Sequence, residues 1–222
     1  MSTYFSPDFN KFLKELASNN NKDWFDVNRE RYFKSVKEPF EKFVADFIAN
    51  VQKIDKEIKT GPKESIHRIN NDIRFSKDKT IYKTYRSAII ALGGKKGGQA
   101  PGFYFELGPE HVALYGGAYI VETAALVNLR NTIAKNLKEF DKLVNDKKFK
   151  ATFGDLQGQK SVRVPANLKA AAEKQPLLFN KEFYFGTEKK ASLVTSKDLM
   201  KTMLEHYKIA LPMIKFLRKA VG

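Results

Sequence analysis

The chain has 222 residues, 42% of them hydrophobic, with 18 Phe and 9 Tyr, which is ample material for a packed core and excludes intrinsic disorder. Lys and Arg number 40 against 25 Asp and Glu, a formal charge of +15, so anions become the default partners and cationic ones are disfavoured. The absence of Cys excludes disulfides, thiolate catalysis and cysteine-ligated metal centres.

The opening residues lack the basic-then-apolar pattern of a secretory signal. No uncharged apolar run approaches the ~20 residues of a membrane span. The expectation is a cytoplasmic protein with no membrane partner. Residues 1–60 read as helices. Ser6-Pro7 opens the first, with Phe9, Phe12, Leu13 and Leu16 on one face. Asn21 caps a second that carries Trp24, Phe25, Tyr32 and Val36. Pro39 opens a third, where Phe40, Phe43, Val44, Phe47, Ile48, Val51 and Ile54 keep helical spacing. Gly61-Pro62 ends this part.

Residues 65–120 read as mainly β. A strand is predicted within 84–92, and Gly102–Leu107 and Val112–Tyr115 flank a turn at 108–111, which reads as a hairpin. Helical spacing returns at Leu126, Leu129, Ile133 and Leu137, followed by a helix over 138–146. Short strands are predicted around 162–164 and 183–185. A last helix, capped at Thr195 or Ser196, should be kinked or restarted at Pro212. Helices, then strands, then helices predict an α+β fold in a single domain over 1–222. Its helical N-terminal part packs on a mainly antiparallel sheet, with C-terminal helices.

The charge is uneven. Residues 1–64 are close to neutral, whereas 65–98 hold 8 basic and 2 acidic residues, a local excess of six. Read as a strand from Ser65, period two places Arg68, Asn70, Asp72 and Arg74 on one face, and His67, Ile69, Asn71, Ile73 and Phe75 on the other. Asp72 and Arg74 are then ~6.6 Å apart along the strand, close enough for the carboxylate to orient either Arg68 or Arg74 and leave donors for a phosphate or carboxylate. Ser76–Lys79 reads as a turn that returns Tyr82, with its phenol and Lys79 toward the same surface. Two readings stay open: an anion pocket lined by Arg68, Arg74 and Lys79, or a solvated, salt-bridged sheet face.

The run Arg68-Ile69-Asn70-Asn71-Asp72-Ile73-Arg74-Phe75, continuing to Asp78-Lys79 and Tyr82-Lys83, resembles the signature of a bacterial domain of unknown function, family 2461. Asn20-Asn21-Lys22-Asp23-Trp24-Phe25, Pro101-Gly102-Phe103-Tyr104 and Gly116-Gly117 are similar to further segments of that family. Asn71 stands where the family usually has Arg, and Ile81 where Pro is frequent. The resemblance implies an α+β fold and adds weight to a ligand site at Arg68, Asp72, Arg74, Asp78, Lys79, Tyr82 and Lys83. Trp24 either walls the same cleft or serves as a core residue.

Other features carry less. The Gly93–Gly98 run lacks the ending of a phosphate loop and reads as a hairpin loop with two exposed lysines. Phe103-Tyr104-Phe105 reads as a strand with one buried aromatic face. Gly116-Gly117 reads as a bulge or a close backbone approach to a ligand. His67, His111 and His206 have no metal-type spacing. Asp72 and Asp78 read as ionised partners of Arg and Lys, or as an acid–base or magnesium pair. The expectation is a small-molecule anion site. A nucleic-acid-binding protein and a structural or adaptor domain are the alternatives. The sequence names neither a cofactor nor a reaction.

Overall fold

The computed structural model describes residues 3–74, 76–97 and 100–221. Phe75, expected on an apolar face, and Gly98, the end of the glycine–lysine loop, lie outside the described residues. Helix α1 (Pro7–Ser18) starts on Pro7 and buries Phe9, Phe12, Leu13 and Leu16. Helix α2 (Lys22–Val27) is capped by Asn21, whose side chain accepts from the Trp24 N–H at 2.9 Å. Helix α3 (Arg29–Tyr32) then runs through a π turn (Phe33–Lys37) into α4 (Glu38–Ile54). Pro39 therefore does not open a separate helix. It lacks an N–H and its ring crowds the preceding turn, and the wider π turn immediately before it lets the chain continue. Arg31 holds this segment to α1 by bonding both Asp8 and Glu15. Pro62 starts one more turn, α5 (Pro62–Ser65), where helical structure was expected to end.

Strands β1 (Arg86–Ile90), β2 (Gly102–Leu107), β3 (His111–Ala118) and β4 (Phe183–Lys190) form an antiparallel sheet in the order β1-β2-β3-β4. Between β3 and β4 lie α6 (Thr123–Lys135), α7 (Leu137–Val144), α8 (Lys147–Phe153) and α9 (Lys169–Lys174). No strand forms at 162–164. Val162 is 94% exposed, and pairing in this stretch is confined to single bridges, Gln157 with Tyr184 and Lys160 with Asn180. Helix α10 (Leu199–Val221) closes the chain and runs unbroken through Pro212. Residues before and after Pro212, among them Met203, Tyr207, Met213 and Leu217, are buried. Together they outweigh the ~3 kcal/mol cost of an internal proline.

The alternation of the strands decides which sheet face is covered. Ala88, Ile90, Phe103, Phe105, Leu107, Val112, Leu114, Phe183 and Phe185 are all buried. Phe40, Phe43 and Phe47 of α4 and Tyr207 of α10 meet Phe103 and Phe105 with centroids 5.5–6.3 Å apart. This is an α+β fold whose helices pack on one side of the sheet.

One buried polar cluster ties the layer together. Asp55, after α4, accepts from Arg218 Nη1 and from the Tyr207 hydroxyl, each at 2.7 Å. Arg218 also reaches Glu57 at 3.1 Å and donates from Nε to the Pro101 carbonyl at 3.2 Å, at the entrance to β2. Burial pushes the Asp55 carboxyl up, but the bonds from Tyr207 and Arg218 and the guanidinium charge outweigh it, and its pKa lies below the ordinary 3.8. Asp55→Asn removes the buried carboxylate and leaves the Arg218 guanidinium only exposed Glu57 and the Pro101 carbonyl, and should cost ~3 kcal/mol in urea denaturation at pH 7. Because the folded-state pKa is the lower one, the carboxylate's contribution is present above the unfolded value near 4 and is lost as pH falls through the folded value. The variant and the parent should therefore converge in stability in acid.

Candidate functional site

The signature segment is not a continuous strand. Residues 66–83 form an antiparallel arm off the edge strand β1, joined by the isolated bridges Ile66–Ala88 and Asn70–Tyr82. The register slips by two residues between these bridges, so a bulge interrupts the ladder. Hydrogen bonds from Asn71 N to Ile81 O and from Lys83 N to Ile69 O hold the outer part. The expected alternation of faces is present: Arg68, Asn70, Asp72 and Arg74 are exposed, Ile69 is buried, and His67, Asn71 and Ile73 are half-buried.

Asp72 brings two of the predicted cations together. Arg74 donates to it from Nε at 2.9 Å and Nη2 at 2.7 Å, and Arg68 lies 3.7 Å away. The hydrogen bonds from Arg74 hold the Asp72 pKa down at about 2. Asp78 and Lys79 serve the turn itself. Asp78 accepts from the Thr80 N–H and hydroxyl, which lowers its pKa, and Lys79 donates to the Ile73 carbonyl at 2.9 Å. Tyr82 does not share a surface with Lys79. Its ring is only 6% exposed and stacks on Phe25 of α2 at 4.2 Å. Trp24 is half-buried and packs against Phe12 at 5.5 Å, within the helical part.

The Asn-rich turn has a second task besides capping. The Asn20 side chain donates to the Tyr82 carbonyl and accepts from its N–H, both at 2.8 Å. One amide thus pairs with the arm as a strand residue would and fastens it to the helices. Asn20→Ala should destabilise the fold by ~1–3 kcal/mol. Hydrogen exchange should speed up at the Tyr82 amide and change little at the centre of β2.

Where the arm returns to the sheet lies Arg86, a residue the sequence reading passed over as part of a β-forming run. It is only 4% exposed, and its guanidinium lies over the Phe40 ring at 5.3 Å. Nε is enclosed without a hydrogen-bond partner. Among the described residues, no ion pair or hydrogen bond to this guanidinium is found. The field of Glu41 reaches it, but Glu41 makes its ion pair with Lys37 at 3.8 Å. Burial lowers the Arg86 pKa. Half-buried Lys83 is also lowered, by burial and by the charges of Arg86 and Arg68, with Glu106 opposing. Lys83 thus feels the charges of both Arg86 and Arg68, while Arg68 also pairs with Asp72.

On the other side of the sheet the strands carry a different set. Tyr104 pairs with Tyr115 across β2 and β3, and Gly102 pairs with Gly117, which in turn pairs with Tyr184. The face forms a groove of about 750 Å³, whose lining includes Tyr104, Tyr115, Tyr184, Glu106 and His67. The Gly102–Gly117 row leaves its floor without side chains. Gly117 has φ +109°, and a Cβ there would come within 2.2 Å of the Phe183 carbonyl, so the bare floor is imposed by the backbone. Tyr104 donates to Glu106 at 2.5 Å, and burial with that bond raises its pKa. The glycine–lysine loop closes one end. Lys95 donates to the carbonyls of Lys63 and Ile66 at 2.7 and 2.9 Å, so its ammonium is bound to the chain. Burial and the charges of Lys83, Lys95 and Arg86 push the His67 pKa down to about 4. Among the described residues, no group of three or more His, Asp or Glu is placed to hold a metal ion, and no helix is long and apolar enough to cross a membrane.

The chain matches, over residues 8–216, the family described as Conserved hypothetical protein (DUF2461). The chain belongs to this family. Comparison with curated proteins and with solved structures returned no match. The DUF2461 match runs from the start of α1 to within the last turns of α10, and so includes the arm, the sheet and the helix layer together. In this DUF2461 chain, the His67 ring signals in NMR should stay constant from pH 8 to 5 and titrate only near 4. Unfolded His takes up its proton near 6.5. Stability should therefore fall as pH drops from 6.5 toward 4, and His67→Gln should lessen that slope, with His206, whose pKa burial also lowers, supplying part of the remainder.

Proposed function

We propose that this protein binds a small anion, a phosphate or carboxylate group, at the cations Arg68, Lys83 and Arg86. The observation that carries this reading is buried Arg86, for whose guanidinium neither a counter-ion nor a hydrogen-bond acceptor is found among the described residues. Enclosing such a charge costs several kcal/mol, of which a cation–π contact with Phe40 returns only ~2 kcal/mol. Lys83 and Arg68 add like charge to the same neighbourhood, so the cluster raises the cost rather than sharing it. A bound anion relieves all three, and a guanidinium presents the forked donors that phosphate and carboxylate oxygens fit. The Asp72–Arg74 pair and the Asn20 clamp keep the arm, and with it Arg68 and Lys83, in place.

The test is thermal unfolding with inorganic phosphate against matched chloride. At about a hundredfold over Kd, phosphate should raise Tm by roughly 5–10 °C. Arg86→Met, which keeps the volume and removes the charge, should unfold at the same or a higher temperature without phosphate and should lose most of the phosphate shift. An undiminished shift in Arg86→Met would overturn the assignment.

A further inference from the structure

The open face of the sheet supports an inference that stands apart from the anion reading above. Tyr104 of β2, Tyr115 of β3 and Tyr184 of β4 line its groove, and none of them belongs to the hydrophobic core. Tyr115 leans across β4 into the space that a side chain on Gly186 would take, since a Cβ there would come within 2.2 Å of its ring. Tyr119, 68% exposed on the loop after β3, meets Tyr184 edge-on at 5.2 Å and stands at the rim. Three adjacent strands ~4.8 Å apart give this tyrosine surface a width of about 10 Å. The volume of about 750 Å³ is that of a small-molecule site.

The charges around the groove favour a neutral ligand. The Glu106 carboxylate on its lining repels an anion, and the Lys95 ammonium is already committed to the carbonyls of Lys63 and Ile66. A cation would meet Lys95 and the field of Lys83, which both act on His67. What the groove offers instead is hydrogen bonding at several points. Glu106 accepts from Tyr104 through Oε1, while its Oε2 lies 3.9 Å from His111, beyond hydrogen-bond range. Among the described residues, no hydrogen bond is found for the hydroxyls of Tyr115 and Tyr184, the ring nitrogens of His67 or the side-chain amide of Gln157. Each of these groups offers both a donor and an acceptor, as an alcohol hydroxyl does. The rings themselves are not parallel. Tyr104 and Tyr115 are tilted by 33° at 6.4 Å, and Tyr119 and Tyr184 by 75°. Neither pair forms a slot for a flat heterocycle. A pyranose ring, apolar on its C–H face and hydroxylated around its rim, needs one aromatic surface beneath it and polar groups at its edge.

We infer that the groove binds a neutral sugar of one or two rings, with a C–H face laid on Tyr115 and Tyr184 and its hydroxyls bonded by Glu106, His67 and Gln157. Saturation-transfer NMR on the full chain tests this, with a panel of neutral mono- and disaccharides of glucose, galactose, mannose and N-acetylglucosamine, and adenosine as the planar comparator. At least one sugar should bind, with stronger saturation on the protons of one ring face than on the other. Tyr115→Ala and Glu106→Gln should each weaken that sugar about tenfold. Circular dichroism checks that both variants are folded, and Glu106→Gln keeps the test open should Tyr115→Ala not fold. Absence of saturation transfer for the whole panel at about 10 mM, weaker than any Kd a built site would show, would overturn the inference and leave the phosphate shift expected. Sugar binding undiminished in the folded variants would overturn the assignment to this groove. Adenosine that binds tighter than every sugar and is weakened by Tyr115→Ala would overturn the choice of a sugar. Loss of the phosphate shift with sugar binding intact would overturn the anion reading alone.

Discussion

The guanidinium of Arg218 and the carboxylate of Asp55 are buried together, and this pair fastens the helix layer to the sheet face that strand alternation makes apolar. It joins the end of α4 to α10, and through the Pro101 carbonyl it joins both to the start of β2. Neither charge can leave without stranding the other in a low-dielectric interior. With the two long helices held on one face, Phe103, Phe105 and Phe185 find their aromatic partners there. The opposite face, carrying Tyr104, Tyr115 and Tyr184, is left without a covering helix layer. The groove is thus a consequence of one-sided packing and not a separate feature.

Three arginines are buried in this molecule, and comparing them isolates the site. Arg218 has a carboxylate partner. Arg130 has none, but its Nη2 donates to the Ser161 hydroxyl and to the carbonyls of Phe179 and Asn180, and so pins the segment before β4 to α6. For Arg86, the described residues provide the Phe40 ring and no counter-ion or acceptor. Arg130 Nε and Arg218 Nη2 are also buried without a partner, as Arg86 Nε is, but the other nitrogens of those two guanidiniums donate to the fold, and for Arg86 no such bond is found among the described residues. The anion proposed above would supply Arg86 with the acceptors that the other two arginines find within the fold.

Much of the architecture was legible in the sequence because it depends on short-range periodicity. The Phe9–Leu16 and Phe40–Val51 stripes, the alternation of Gly102–Leu107 and the capping by Asn21 are each set within a few residues. Expectations failed where a local signal competed with long-range packing. Pro39 read as the start of a separate helix and Pro212 as a kink or restart, yet a π turn carries the chain past the first and a burial stripe on both sides keeps one helix through the second. The Arg68–Arg74 alternation read as a strand, but a bulge reduces its pairing to single bridges. Tyr82 read as a surface phenol beside Lys79, yet Phe25, some 57 positions earlier in the chain, takes its ring into the core.

The sequence by itself determined the fold class, the family and the concentration of positive charge in residues 65–98, since composition, spacing and a run of signature residues are properties of the chain in one dimension. It also showed the exposed Arg68–Asp72–Arg74 face, because period two is a local rule. Only the tertiary structure decided that Arg86 is buried with no counter-ion among the described residues, because a charge becomes costly through the elements folded around it. The tyrosine-lined groove was likewise a tertiary decision. Its walls come from positions 67, 104, 115, 157 and 184, which are brought together by strand pairing and by the covering of the other face, and no pattern along the chain links them.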